Sequence, residues 1–276
     1  MLDHHSRFVW YELSTTNVGA AKTFYSEVMG WGTRDMSMPG IAYTAFTVRN
    51  APACGLINLS EEATDNGAKS RWIGYVGVAD VDATVGRIKQ LGGLVLVPPT
   101  DVFDFSRFAI VADPQMATFA LVTWLRSGQE SQIERDAPGR VGWHELLTAD
   151  PTAALVFYSA LFGWQRGEAT VGATGTYQLF SAGQHTIGGI ATKLETVSIP
   201  SWVYYFRVDD IDAAAKRVRA GGGQVLEGPT EVPGGSWVLQ CIDPRQAIFA
   251  LVGKRKYKAL VRFRPFGSSD KALRAK

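Results

Sequence analysis

The 276-residue sequence is poor in cysteine and histidine, with two cysteines (Cys54 and Cys241) and four histidines. Two cysteines argue against a disulfide framework and favour a reducing compartment. No run of about eighteen apolar residues occurs, so a membrane-spanning helix is not expected. The N-terminus lacks the cationic head and apolar stretch of a signal peptide. We therefore expect a cytoplasmic protein that has no membrane partner.

Net charge is also nearly absent, because 28 Lys and Arg face 26 Asp and Glu and leave a formal charge of +2. These charges are segregated along the chain. Residues 254–276 hold nine basic residues and one acidic residue, so they carry +8 and residues 1–253 carry −6. A basic tail can contact acidic surfaces, but an acidic body gives no reason to expect a nucleic-acid partner. Nucleic-acid binding is therefore not expected outside the tail. A hydrophobic content of 46% excludes a disordered chain.

The chain contains an internal repeat. With a shift of 133 residues, residues 7–31 align with residues 140–164 without a gap, and twelve of the 25 positions are identical. Further along, the shift becomes 130, and Asp113-Pro114 aligns with Asp243-Pro244. A repeat of this length predicts tandem domains, each large enough for its own core. We predict domain 1 at residues 7–125, a linker at 126–139, domain 2 at 140–253 and a basic C-terminal extension at 254–276.

Each copy carries the signals of a strand, a helix and further strands, twice over. In the second copy, residues 141–148 alternate as a strand does. Asp150 then caps a helix, Pro151 occupies its first turn and Gly163 ends it. Apolar residues at 153, 156, 157, 160 and 161 recur at helical spacing. The pattern predicts an α+β fold with two β-α-β-β-β modules in each domain.

This order, with Phe-Tyr inside the first helix and Gly-Trp after it, resembles the vicinal oxygen chelate superfamily of glyoxalases, bleomycin-resistance proteins and extradiol dioxygenases. The motifs around Trp10-x-Glu12-Leu13 and Asp113-Pro114 are similar to those of its tandem glyoxalase-like subgroup. The resemblance covers residues 7–253. It implies a tandem duplication of glyoxalase-like domains, in which two βαβββ modules form an open eight-stranded barrel. In that family the concave face of the barrel holds the ligand, often on a divalent metal.

The resemblance also implies where metal ligands, chiefly His and Glu, would lie. They are expected on the first strand of each module and on the last strand after the Asp-Pro turn. Counting from the motifs places non-ligating side chains at all six positions: Trp10, Ile73 and Ala120 in the first copy, and Trp143, Val203 and Ala250 in the second. Residues 7–125 contain no histidine, so a site there would have to borrow His4 or His5. No cofactor is therefore expected, and these positions do not support a divalent metal.

Strand periodicity suggests a different pocket. Side chains two residues apart face the same way, so Trp10 shares a face with Glu12 and Trp143 with Glu145. On the second module, Tyr75 and Tyr205 occupy that face. We predict a ligand-binding pocket in each domain, formed by these residues: Trp10, Glu12 and Tyr75, and Trp143, Glu145 and Tyr205. His144 should face away from Glu145.

The residues leave the roles of the two glutamates open. Glu12 and Glu145 could satisfy buried backbone donors or pair with an arginine such as Arg207. Each could instead contact a ligand, including a cation held beside aromatic rings. Each could also act as the catalytic base, because burial raises the pKa of a carboxyl group.

Three functions remain open for the same reason. We favour a metal-free binder of a small molecule. A glyoxalase-, hydroxylase- or dioxygenase-type enzyme, with Glu as base or with an atypical divalent metal site, is the first alternative. An interaction protein with non-functional barrels is the second. Because two domains in one chain can pair with each other, we expect a monomer or a weak homodimer.

Overall fold

The computed structural model of the chain describes residues 6–125, 137–172, 175–194 and 199–256. Residues 126–136 of the predicted linker, residues 257–276 of the extension, and His4 and His5 lie outside the described residues. The elements of the first repeat are β1 (Phe8–Thr15), α1 (Val18–Met29), β2 (Gly32–Asp35), β3 (Tyr43–Val48), β4 (Ala51–Asn58), α2 (Glu61–Asp65), β5 (Arg71–Gly77), α3 (Val81–Gln90), β6 (Leu94–Val102), β7 (Ser106–Ala112) and β8 (Thr118–Trp124).

The second repeat follows the same plan. Its elements are β9 (Val141–Thr148), α4 (Pro151–Phe162), β10 (Gln165–Gly172), β11 (Gly175–Ala182), β12 (His185–Thr192), β13 (Ser201–Val208), α5 (Ile211–Ala220), β14 (Gln224–Val232), β15 (Ser236–Ile242) and β16 (Ile248–Gly253). None of the helices in the described part of the chain has the length and apolar character needed to cross a membrane.

The two eight-stranded sheets have the same strand order. The first is β2-β3-β4-β1-β5-β8-β7-β6, and the second is β10-β11-β12-β9-β13-β16-β15-β14. Each module contributes four strands, and the modules join where β1 pairs antiparallel with β5 and β9 with β13. The outermost strands end each sheet, so each domain is an open half-barrel. The predicted α+β fold of duplicated βαβββ modules is confirmed.

Local sequence signals decide where the helices begin and end. The side chain of Asp150 accepts hydrogen bonds from the first turn of α4, as Asp210 does for α5. Gly30 and Gly163 end α1 and α4 at φ angles of 72° and 71°. This left-handed conformation favours glycine because a side chain would be strained there. The helix predicted from Asp150 to Gly163 is confirmed, but its buried face includes Ala154, Leu155 and Tyr158. Of the apolar positions predicted at helical spacing, Val156 is exposed.

The domains pack against each other through one continuous apolar core. Its buried side chains come from both repeats, and they pack across the convex sides of the two sheets. The first helix of each domain packs against the second module of the other. The ring of Phe24 on α1 lies 5.9 Å from that of Phe249 on β16, and Tyr158 on α4 lies 5.6 Å from Phe119 on β8. Fully burying one such ring contributes about 1.5–3 kcal/mol.

Two buried chains of hydrogen bonds cross this interface in opposite directions. In the first, Trp72 Nε1 donates to the hydroxyl of Tyr25 (2.9 Å), which donates to Asp243 Oδ2 (3.1 Å). The Oδ1 atom of Asp243 accepts from backbone N–H groups of its own turn. The second chain repeats these bonds through the equivalent residues Trp202, Tyr158 and Asp113. The aspartates of the two Asp-Pro turns therefore also accept hydrogen bonds from tyrosines of the other domain.

The variant Tyr25→Phe tests how much these hydrogen bonds contribute to the stability of the protein. It removes a hydroxyl and leaves the buried Trp72 Nε1–H and Asp243 Oδ2 without that partner. We expect the free energy of unfolding to fall by about 1–3 kcal/mol, measured by urea denaturation. Thr23→Ala, at an exposed position of the same helix, should change it by less than about 0.5 kcal/mol. Equal midpoints for Tyr25→Phe and the unaltered protein would contradict the assignment.

Equivalent positions of the two repeats meet at the centre of the interface. The hydroxyl of Tyr11 lies 2.6 Å from Nε2 of His144, and Nδ1 of His144 lies 2.7 Å from the carbonyl oxygen of Ile187. Because a carbonyl only accepts, Nδ1 carries the proton and Nε2 accepts from Tyr11. The imidazole stacks on Phe8 at 4.5 Å, and burial lowers its pKa to about 4. His144 faces away from Glu145, as predicted, but lies between the domains.

The neutral His144 predicts a loss of stability in acid. Its pKa in the folded protein, about 4, lies below the ordinary value of 6.5, so the unfolded chain binds the proton first. The contribution is complete above pH 6.5 and disappears as the pH falls through the folded value. It amounts to about 2 kcal/mol between pH 7 and pH 5.

The variant His144→Gln keeps a donor for Ile187 and an acceptor for Tyr11, but it does not titrate. The free energy of unfolding, measured at pH 7 and pH 5, should therefore fall less in the variant. The raised pKa values of Glu12 and Glu145 favour the folded state as the pH falls, which opposes the effect of His144. Both glutamates are present in the variant and in the unaltered protein, so their effect is the same in each. An equal loss in the two proteins would contradict the role of His144.

The C-terminal extension begins as part of domain 2. Arg255 pairs with Asp212 through two contacts of 2.7 and 2.8 Å, and its guanidinium lies 3.7 Å from the ring centre of Trp237. In domain 1 the aligned aspartate, Asp82, pairs with Arg107 at 2.6 and 3.0 Å. Because Trp237 aligns with Arg107, the extension supplies the guanidinium that β15 lacks.

Candidate functional site

The concave face of each sheet brings the predicted residues together. In domain 1, Trp10 on β1 pairs in register with Tyr75 on β5, which pairs with Ala120 on β8. Glu12 lies opposite Ile73. The second sheet has the same register, with Trp143, Tyr205 and Ala250 in one row and Glu145 opposite Val203. Both groups pack in clusters separate from the interdomain core.

In domain 1, Glu12 is held by two tyrosines. The hydroxyl of Tyr75 donates to Oε1 at 3.0 Å, and the hydroxyl of Tyr43 donates to Oε2 at 2.8 Å. Trp10 Nε1 donates to the Tyr43 hydroxyl at 3.0 Å. The two bonds to different oxygens fix the orientation of the carboxylate on the concave face.

Domain 2 repeats this arrangement and adds an amide. The hydroxyl of Tyr205 donates to Glu145 Oε2 at 2.7 Å, and Trp143 Nε1 donates to the hydroxyl of Tyr177 at 3.0 Å. Tyr177 also hydrogen-bonds to Glu145 and lowers its pKa. Gln240 Nε2 lies 3.1 Å from both Glu145 Oε2 and the Tyr205 hydroxyl. The Trp–Tyr–Glu–Tyr constellation is therefore duplicated.

The sequence left backbone donors and an arginine open as partners of the two glutamates, but the observed hydrogen bonds come from other groups. Within the described ranges, both carboxylates accept from phenol hydroxyls, and Glu145 also accepts from an amide, rather than from backbone donors or Arg207. Sequence reasoning missed Tyr43 and Tyr177, which lie on β3 and β11. They align at a shift of 134 residues, so a comparison of the repeats over these strands carries a signal for them.

Glycines make room for the second tyrosine of each constellation. Gly55 on β4 pairs in register with Glu12. A Cβ atom at Gly55 would lie 2.8 Å from Cζ of Tyr43 and 3.1 Å from Glu12 Oε2, so it would overlap the ring. Gly189 on β12 pairs in register with Glu145 on β9, and a Cβ atom at Gly189 would overlap the ring of Tyr177. The close approach of the tyrosine ring explains glycine at both positions.

Burial and hydrogen bonding act in opposite directions on the glutamates. Burial raises the pKa of Glu12 and Glu145, whereas the tyrosine hydrogen bonds lower both values. The nearby charge of Glu227 raises the pKa of Glu145 further. Burial also raises the pKa of Tyr75 and Tyr205, so these hydroxyls stay protonated and donate. Such a carboxylate can accept a hydrogen bond from a ligand, hold a cation or take up a proton.

The variant Gly55→Ala tests this geometry. We expect the added methyl group to displace Tyr43 and to raise the pKa of Glu12, because one of its two stabilising hydrogen bonds is lost. A carbon-13 NMR titration of the Glu12 carboxyl measures the shift. Gly86→Ala is the control, since a Cβ there meets nothing within 4 Å. It should stabilise α3 by about 0.5–1 kcal/mol and leave the titration unchanged. An unchanged pKa in Gly55→Ala would contradict the packing argument.

The donor set does not fit a divalent metal at the positions expected from the superfamily. Trp10, Ile73 and Ala120 offer indole, alkyl and methyl groups, and the aligned residues of domain 2 are equally non-ligating. In the ranges that the structure describes, no group of three His, Cys, Asp or Glu side chains is placed to hold a metal ion.

Two clefts lie away from the concave faces. One, of about 320 Å³, lies between the end of α1 and the start of α5 and includes Met29, Asp209 and Arg217. The other, of about 190 Å³, lies beside α4 and includes Pro114 and Phe157. Neither is lined by any of the six predicted pocket residues. Each concave face is bounded by the two edge strands of its sheet and is called a trough here.

The chain belongs to the Glyoxalase/Bleomycin resistance protein/Dioxygenase superfamily, whose family model matches residues 7–121 and 140–249. The two matched segments correspond to the two sheets. The resemblance drawn from the Phe-Tyr, Gly-Trp and Asp-Pro motifs is thereby confirmed.

Two relatives are similar along most of their length. "Putative glyoxylase CFP32" of Mycobacterium bovis is 33% identical over 246 residues, covering 88% of this chain and 93% of that protein. "Anthracycline biosynthesis protein DnrV" of Streptomyces peucetius is 30% identical over 260 residues, covering 90% of this chain and 93% of that protein.

Solved structures of low sequence identity share the fold. The Mn(II)-bound glyoxalase from Novosphingobium aromaticivorans has a TM-score of 0.64 at 14% identity, covering 92% of this chain and 83% of that one. The 2,3-dioxygenase LapB from Pseudomonas sp. KL28 has a TM-score of 0.62 at 11% identity, covering 91% and 92%. These similarities concern the fold alone.

Proposed function

We propose that this protein binds a small organic molecule on the concave face of a half-barrel, without a divalent metal at the superfamily's ligand positions. The observation that carries the proposal is the duplicated constellation, in which a glutamate is held by two tyrosines beside a tryptophan. The candidate contact residues are the six predicted from the sequence (Trp10, Glu12, Tyr75, Trp143, Glu145 and Tyr205), together with Tyr43 and Tyr177, and they form one candidate set of four in each half-barrel.

The composition of these faces supports a small-molecule site. Such sites combine apolar and aromatic walls with a few polar groups that orient the ligand. Trp10, Glu12 and Tyr43 are half-buried, so a molecule can reach them from the trough. An ionised carboxylate offers about four acceptor positions, of which two are used on Glu12. The remaining acceptor capacity favours a ligand that carries a hydrogen-bond donor.

Proton abstraction by Glu12 or Glu145 is the second candidate function. The observation that favours it is the raised pKa of both carboxyl groups, because a general base is most effective when its pKa approaches the working pH. The names of CFP32 and DnrV refer to a glyoxylase and to anthracycline biosynthesis. Both concern small organic molecules, and they support either candidate for this chain.

A ligand survey of the full-length protein tests the proposal. Small aromatic alcohols, aromatic amines and aliphatic acids are screened by melting temperature and tryptophan fluorescence. At least one class should raise the melting temperature, and the double variant Glu12→Gln/Glu145→Gln should weaken its binding at least about tenfold. Elemental analysis of protein purified without chelator or affinity tag should find far less than one divalent ion per chain.

Two outcomes would contradict the proposal: a stoichiometric divalent ion, or a survey in which no compound changes either signal. For the catalytic alternative, a turnover that survives in the double variant would exclude the glutamates as the base.

A further inference from the structure

The two concave faces share the constellation but differ in the residues around it. At a shift of 130 residues, four aromatic or large apolar residues of domain 1 align with smaller or more polar residues of domain 2. The first set is Phe105, Phe108, Ile110 and Trp124, and the second is Gly235, Val238, Gln240 and Lys254.

In domain 1 the extra aromatic rings extend the wall around Glu12. The ring of Trp124 lies 6.4 Å from that of Trp10 and 5.4 Å from that of Phe105, edge to face in both cases. Phe108 lies 6.5 Å from Tyr75. The rings of Trp10, Phe105, Phe108 and Trp124 are half-buried, so each keeps part of its surface exposed. Aromatic surfaces of this kind favour a planar apolar ligand.

In domain 2 the corresponding space is used by the protein itself. Gln240 donates to Glu145 Oε2, which already accepts from Tyr205, so this oxygen has two donors. Glu145 is buried, with 7% of its surface exposed, whereas Glu12 is partly exposed. Lys254, in the place of Trp124, directs its ammonium group to the carbonyl oxygens of the β14–β15 turn.

The two carboxylates therefore differ in how many further hydrogen bonds they can accept. Each oxygen of Glu12 accepts one hydrogen bond and can accept about one more. Ile110 aligns with Gln240, whose amide donates to Glu145 in domain 2. Ile110 has no donor, so it leaves this acceptor position of Glu12 unused. Glu12 consequently offers a ligand an open acceptor that is surrounded by aromatic rings.

We infer that the concave face of domain 1 is the ligand site, that it takes a planar, largely apolar molecule carrying a hydrogen-bond donor, and that Gln240 closes the equivalent site of domain 2. The donor is a hydroxyl or an ammonium group, both of which a carboxylate recognises. The inference rests on the proposed function and states which half-barrel performs it and for which class of ligand.

Three probes of one shape test the ligand class on the full-length protein. They are 2-naphthol, 2-naphthylmethylammonium and 2-methoxynaphthalene, which has no donor. Calorimetry and tryptophan quenching should show that one or both donor probes bind at least about tenfold more tightly than the methyl ether. The better of the two donor probes distinguishes a hydroxyl from an ammonium group.

Matched variants then test which half-barrel binds. Glu12→Gln should weaken the better probe at least about tenfold, and Glu145→Gln should change its affinity by less than about twofold. Ile110→Gln should weaken binding because the amide occupies the open acceptor, while Gln240→Leu leaves domain 1 unaltered and should not. Trp124→Leu keeps an apolar side chain but removes the ring, so it should also weaken binding. Melting temperatures confirm that each variant is folded.

The outcomes separate this inference from the proposed function. Weakening by Glu145→Gln alone, or equally by both glutamate variants, would overturn the assignment to domain 1 while the protein remained a binder. Equal binding of the methyl ether, or binding of other compounds in the survey but none of these probes, would overturn the ligand class. A survey without any bound compound would remove the proposed function itself.

Discussion

The reciprocal anchoring of each domain on the other is the constraint on which the rest of the structure depends. The side chains of Tyr25 on α1 and Tyr158 on α4 hydrogen-bond to Asp243 and Asp113 of the opposite repeat. They do so within one core that is continuous between the domains. Buried hydrogen bonds of this kind strengthen one another in a low-dielectric interior and tolerate few alternative arrangements. The two repeats therefore share one core, and the convex side of each sheet packs in the interface.

Because the convex sides form the interface, the candidate site lies on the concave sides. Because strand side chains alternate, the residues next to the interface residues face the troughs: Glu12 follows Tyr11, and Glu145 follows His144. The same strands β1 and β9 thus hold the domains together with one face and present a carboxylate with the other. Once the interface is formed twice in the same way, the surrounding residues can diverge. Gln240 against Ile110 and Lys254 against Trp124 are such differences.

Much of this architecture was accessible from one-dimensional patterns. The internal repeat, the Asp150 cap, the Gly163 helix end and the alternation around Glu12 rest on local geometry, so they predicted the modules, the ends of this helix and the facing of the strand side chains. Tyr43 and Tyr177 were missed because they reach the glutamates across β4 and β12, and only strand pairing sets that distance. Arg255 was counted as part of a basic tail, although it fills the place of Arg107 in domain 2.

The sequence by itself determined the duplication, the α+β modules and the loss of ligating side chains at the metal positions. These properties follow from residue identity and from periods of two and 3.6 residues. Only the tertiary structure decided that the aspartates of the Asp-Pro turns bind tyrosines of the other repeat, and that His144 lies between domains. It also decided that the two glutamates accept from different numbers of donors. Such facts depend on which surfaces meet after folding, because contacts between residues that lie from 31 to 218 positions apart leave no local pattern in the chain.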